Sequence, residues 1–131
     1  MITAYCSHSI RGQKGANATL DEMIFNNNKA IILANELRRL YSFLDLYVPA
    51  ENGEFDIECF SRGYLTAEQI LEVDCEILSK RDVLLVYNWQ GISKGMEIEI
   101  DYAEKLGKDI IEFKYLGDAV QKLNTFFGVN L

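Results

Sequence analysis

Three stretches of the chain combine residue types that can do chemistry. The first is Ser7-His8-Ser9-Ile10-Arg11-Gly12. Two hydroxyls, a guanidinium and a glycine that lets the backbone come close are the parts of a phosphate cradle. The same residues also suit a plain polar turn with a solvated arginine. The second is Ser93-Lys94-Gly95-Met96-Glu97-Ile98-Glu99, where a serine and a glycine stand at a helix start, a place that attracts anions. Glu99 shares a helical stripe with Met96, Ile100, Ala103 and Leu106. A carboxylate there costs desolvation free energy unless it is paired or used, or unless it reaches water at the stripe's edge. The third is Asp74, in a stripe with Ile70, Val73, Ile77 and Leu78. It either hydrogen-bonds a nearby loop or works with Glu99. Two carboxylates together can serve as nucleophile and acid/base in cleaving a bond at a sugar's anomeric carbon.

Other chemistries have little to work with. His8 is the only histidine, which leaves a His-based zinc site or a Ser-His-Asp triad without parts; it reads as a loop or pocket-lining residue. Ser7, Asn88 and Trp89 are further candidates for the lining of a pocket, and Trp89 with Tyr87 could stack on a base or pack into the core. Cys6, Cys59 and Cys75 are odd in number and lack metal-ligand spacing, as expected of reduced thiols in the cytoplasm. Thirteen Lys and Arg against 20 Asp and Glu give a net charge of −7, a poor footprint for a nucleic-acid polymer but no obstacle to one small phosphorylated ligand. No apolar run approaches the roughly 20 residues of a membrane span, and no signal-peptide pattern opens the sequence.

The elements that must position these residues alternate. Ile2–Cys6 reads as a strand, followed by a polar stretch from Ser7 to Asn17; Asn26–Tyr41 reads as a helix with Ala30, Leu33, Ala34, Leu37, Leu40 and Tyr41 on one face. Leu44–Val48 is a second strand ended by Pro49, and Ala50 to Leu65 reads as a loop. Thr66 with Gln69 is a capping-box signature for a helix that ends near Arg81. Val83–Asn88 is a strand buried on both faces, and a helix from Ser93 stops at Gly107. Asp109–Phe113 is the last strand, and Leu116 to Phe127 an amphipathic helix. Four strands alternating with four helices predict an α/β domain with a parallel sheet. Ligands of such sheets bind beyond the strands' carboxyl ends, where the first two stretches fall.

The pattern Tyr5-x-x-x-Ser9-Ile10-Arg11-Gly12 resembles the first-strand motif of the 2′-deoxynucleoside 5′-monophosphate N-glycosidases, within the nucleoside 2-deoxyribosyltransferase superfamily. Ser93-x-Gly95-x-x-x-Glu99, followed by Ile100 and Ala103, is similar to that family's nucleophile motif, and Asp74 with Asp82 eight residues on also sits as in the family. The matches run in order from about residue 2 to 113. The resemblance implies that Glu99 attacks the anomeric carbon, that Asp74 assists as acid/base or by positioning, and that Tyr5 hydrogen-bonds near the nucleophile. It implies that Ser9, Ile10, Arg11, Gly12, Ser93 and Gly95 hold the 5′-phosphate. It further implies no metal or organic cofactor, a homodimer, and a Rossmann-like or flavodoxin-like three-layer domain over residues 1–131 with a four- to five-stranded, mostly parallel sheet.

The sequence also departs from the family. His8 stands in place of a glycine, Asp101 replaces a small glycine two residues after the nucleophile, and Glu97 adds an acid that would raise nearby carboxylate pKa values if it pointed inward. From Phe113 the sequence passes almost directly into the last helix, without the family's further strand and its phosphate contact from the neighbouring subunit. The leading expectation is hydrolysis of the N-glycosidic bond of a (deoxy)nucleoside 5′-monophosphate, with no nucleic-acid polymer or membrane as partner. Transfer of deoxyribose between bases and a non-catalytic nucleotide-binding module are the alternatives. Arg11 and Ser9 favour a phosphorylated substrate over a free nucleoside.

Overall fold

The computed structural model describes residues 1–131. In chain order they form β1 (Ile2–His8), a 3-10 turn (Gly12–Asn17), α1 (Leu20–Leu40), β2 (Leu44–Tyr47), a second 3-10 turn (Pro49–Asn52), α2 (Gly53–Ser61), α3 (Ala67–Ser79), β3 (Val83–Tyr87), α4 (Lys94–Lys105), β4 (Asp109–Phe113) and α5 (Leu116–Phe127). The sheet has the order β2-β1-β3-β4 and every neighbouring pair is parallel. The chain winds outward from β1 to β2, then back past β1 to β3 and β4. This is the three-layer α/β arrangement expected, with four strands, and its topological switch point lies between β1 and β3.

Side-chain alternation along the strands divides the core. Ala4 and Cys6 of β1 and Val83, Leu85 and Tyr87 of β3 face α1 and α5, meeting Ala30, Leu37, Ala119 and Leu123. Tyr5, Leu84 and Val86 face the other way, onto Leu78 of α3 and Met96 and Ala103 of α4. The second layer is thinner, and Val73 and Ile98 on its outer side are 59% and 42% exposed. No helix is long and apolar enough to cross a membrane.

Three expectations are corrected, the first being the end of β1, which runs on past Cys6 through Ser7 and His8, paired with Val86 and Tyr87 of β3. Helix α1 begins at Leu20, six residues before Asn26, because Thr19 and Glu22 form a capping box: the Glu22 N–H donates to Thr19 Oγ1 at 3.2 Å and the Thr19 N–H to Glu22 Oε1 at 3.1 Å. The stretch from Ala50 to Leu65 is not a loop throughout, since it holds the second 3-10 turn and α2, so the helices number five. Helix α2 buries only Gly53. It rests on the turn before it and makes only scattered contacts elsewhere, so no apolar stripe announces it. The Thr66–Gln69 capping box of α3 forms as expected.

Candidate active site

Glu99 is placed by α4, which lies across β1 and β3 on the thinner side of the sheet. One and a half turns from the Ser93 cap, it falls beneath the carboxyl end of β1 and is 5% exposed. Tyr5 Oη donates to Glu99 Oε2, and Ser7 Oγ donates to Oε1 at 2.7 Å. Tyr5 and Ser7 alternate to the same face of β1, so a single strand presents both hydroxyls to one carboxylate. No ion pair of the chain includes Glu99. Burial therefore dominates: it pushes the Glu99 carboxyl up to about 7, against the two hydroxyls, which favour the ionised form, while Asp74 raises it further. Burial beside the Glu99 charge also drives the Tyr5 phenol far above its ordinary range, so Tyr5 stays a hydrogen-bond donor. Glu97 and Asp101 are exposed, so neither adds an inward acid.

Asp74 comes to this carboxylate from α3. Its Oδ1 accepts from Tyr47 Oη at 3.3 Å, and Asn52 Nδ2 donates to the same Tyr47 oxygen at 2.9 Å. The Tyr47 ring lies 5.4 Å from that of Tyr5, and the Arg81 guanidinium stands 5.6 Å from its centroid. Burial first, and then Asp56 of α2, raise Asp74 to about 6; the Tyr47 hydrogen bond lowers it. Asp56 is itself raised by burial. The sequence does not single out Tyr47, Asn52 and Asp56. Tyr47 carried a faint signal, a phenol at the end of a strand beside the one that bears Tyr5. Asp82, in contrast, sits at the opposite end of the sheet, where it accepts from the Thr3 N–H and hydroxyl at 3.0 Å each. It ties β1 to β3 and is remote from the site.

The expected phosphate loop forms a closed turn. The Gly12 N–H donates to Ser9 Oγ at 2.8 Å, and the Ile10 carbonyl accepts from Asn26 Nδ2 at 2.9 Å. Gly12 has φ +66°, and a Cβ there would lie 2.5 Å from Gln90 Oε1. The conformation favours glycine, and any Cβ would also have to push the Gln90 amide aside. Arg11 makes no ion pair; its guanidinium lies 5.4 Å from the Phe60 ring centroid on α2. At the start of α4, Ser93 Oγ accepts from the Met96 N–H at 3.2 Å, while Gly95 has open space where a side chain would stand. First-turn N–H groups lack intrahelical acceptors, so this end can bind an anion.

The expected pocket-lining residues separate. Ser7 joins Glu99. His8 does not: strand alternation turns it to the other face, where it is buried and Nε2 accepts from the Ala50 N–H at 3.1 Å. Burial lowers its pKa to about 4, so the ring is neutral and structural. Asn88 is held between β3 and β4, with its N–H on the Phe113 carbonyl and Nδ2 on Glu112 at 2.6 Å. Tyr87 is in the core, stacked on Phe113. Trp89 does line a crevice, with Arg11 and Gly12. No three His, Cys, Asp or Glu side chains converge as metal ligands.

Against this geometry, comparisons with protein families, with curated proteins and with solved structures returned no match. The α/β fold and the placement of its side chains are what the chain itself supplies.

Proposed function

We propose that this chain hydrolyses the N-glycosidic bond of a (deoxy)nucleoside 5′-monophosphate through a covalent glycosyl–Glu99 intermediate. One observation carries the reading: a buried glutamate without a cationic partner is held by two hydroxyls at the carboxyl edge of a parallel sheet, next to a second raised carboxyl. Such a site costs stability and suits a task.

In the proposed reaction a Glu99 oxygen forms a bond to C1′ as the C1′–N bond breaks. The electron pair leaves on the base nitrogen, which takes a proton from Asp74. Because burial raises Glu99 further than Asp74, the reacting form, Glu99 ionised and Asp74 protonated, is the minor one of the singly protonated pair. Water then attacks C1′, returns a proton to Asp74, and the bond to Glu99 breaks. Tyr5 and Ser7 hold the Glu99 carboxylate in one orientation, so little of its freedom is left to lose. Arg11, the Ser9–Gly12 turn and the start of α4 take the 5′-phosphate, whose binding orients the labile bond from a distance.

The test is chromatographic detection of free base from a panel of deoxynucleoside 5′-monophosphates, the matching nucleosides and ribonucleotides, with Glu99→Ala alongside. Base release confined to the phosphorylated compounds and absent in Glu99→Ala is the expected result. Tight binding without release would instead make the chain a nucleotide-binding module. Appearance of a new nucleotide when a second base is added would show that the intermediate passes its sugar to a base as well as to water.

A further inference from the structure

Beside the phosphate loop lies a crevice that the proposed reaction touches only through Arg11 and Gly12. It is a wide, solvent-open crevice of about 650 Å³ at the switch point, lined by Arg11 and Gly12, by Asp21, Glu22 and Phe25 of α1, and by Trp89 after β3. That volume is in the range of sites for nucleotide-sized ligands. Tyr5, Asp74 and Glu99 are not among its walls. Across the sheet the order of parts is informative. Tyr47, Asn52 and Asp74 gather on the β2 side, the Ser9–Gly12 turn crowns β1, and the crevice lies between the loops of β1 and β3.

The walls suit a flat polar ring. Phe25 is 59% exposed and meets Trp89 edge-on, with ring centroids 6.3 Å apart. Lys29 Nζ stands 4.7 Å from the Trp89 ring centroid. Gln90 packs against the phosphate loop at the edge of the crevice, its Oε1 standing 2.5 Å from where a Gly12 Cβ would lie. The leaving base cannot be this ring, because it is bonded to the carbon that Glu99 attacks, beside Asp74. What reaches the crevice is whatever the substrate carries beyond its phosphate.

We propose that the crevice binds a second planar heteroaromatic ring joined to the substrate through the phosphate held at the Ser9–Gly12 turn, so that a dinucleotide linked by its phosphates is preferred to a nucleoside monophosphate. This rests on the nucleotide reading above and extends its substrate class. Arg11, which lines the crevice and also belongs to the phosphate loop, is the hinge between the two halves of the ligand.

Trp89 is the only tryptophan, so intrinsic fluorescence reports on the crevice directly. Glu99→Gln protein, used to prevent turnover, is titrated with deoxyadenosine 5′-monophosphate, with two adenosines joined by a 5′,5′-pyrophosphate, and with inorganic phosphate. Stacking of one ring predicts that the dinucleotide binds about tenfold tighter than the monophosphate and quenches Trp89. Phe25→Ala, at an exposed position, should erase that advantage and leave monophosphate affinity unchanged. Equal affinities, or an advantage that survives Phe25→Ala, overturn the proposal. Base release by the unaltered protein is scored separately. Release without a dinucleotide advantage removes the crevice proposal only; a dinucleotide advantage without release from any compound removes the glycosidase reading only; no binding of any probe removes both.

Discussion

Replacing Glu99 by glutamine isolates the cost of holding a carboxylate inside this fold. The side chain is 5% exposed and its carboxyl moves from an ordinary 4.5 to about 7. Each pH unit of that displacement corresponds to ~1.4 kcal/mol, so the ionised form is penalised by on the order of 3 kcal/mol. The sign follows from proton linkage. Because the folded value lies above the unfolded one, the contribution is complete below about 4.5 and is lost as pH rises through about 7. Glu99→Gln should therefore gain on the unaltered protein as pH rises. The gap should widen by about 3 kcal/mol between pH 4.5 and pH 8, on the order of 10 °C in Tm for a chain of this size. The amide carbonyl can accept from one hydroxyl while the other turns to accept from the amide NH2, so any rotamer cost is the same at every pH and cancels in the difference. Urea unfolding followed by Trp89 fluorescence, with both proteins at each pH, measures it. Comparing the two at one pH also cancels most of the contribution of His8 and other titrating groups. A gap that stays constant from pH 4.5 to pH 8 would refute the claim that Glu99 is buried without electrostatic compensation.

Two other predictions concern the partners of that carboxylate and the opposite face of β1. Tyr5→Phe removes a donor that favours the ionised form of Glu99, so the pH at which base release rises should move upward and turnover at pH 7 should fall by about 10- to 100-fold; an unshifted pH profile would refute the role. His8→Ala leaves the Ala50 N–H without its acceptor and opens a void, costing about 2–4 kcal/mol at pH 7. Since the His8 pKa is lowered to about 4, its contribution is present above about 6.5 and lost as pH falls toward 4, so the gap to the unaltered protein in urea unfolding should shrink at pH 5.

The sequence made the sheet legible because β1, β3 and the stripes of α3 and α4 obey clean periodicities. Glu99 and Asp74 stood out for the same reason: an acid on an apolar stripe is visible without any knowledge of its partners. What it meets was less legible. Tyr5 and Ser7 lie 94 and 92 residues from Glu99, and only the pairing of β1 with β3 under α4 brings them together. The first turns of α1 expose Leu20, Ile24 and Phe25 and bury Asn26 and Asn27, which inverts the usual pattern and hides the helix; its Thr19–Glu22 box was the one signal present. His8 was misleading because one residue of register decides which face of β1 a side chain takes.

The sparse anchoring of α2 has a consequence for how the protein opens. Gly53 and Gly63 bracket it, only Gly53 is buried, and the Arg11–Phe60 contact ties it to the loop after β1. Local unfolding free energies follow such anchoring, so the amides of α2 should exchange with solvent through excursions that leave β1 and β3 protected. The wall that carries Asp56 and sets the field at Asp74 can thus detach and re-form without loss of the core. The opening of α2 is then an equilibrium of one helix, separate from the stability of the sheet that holds Glu99.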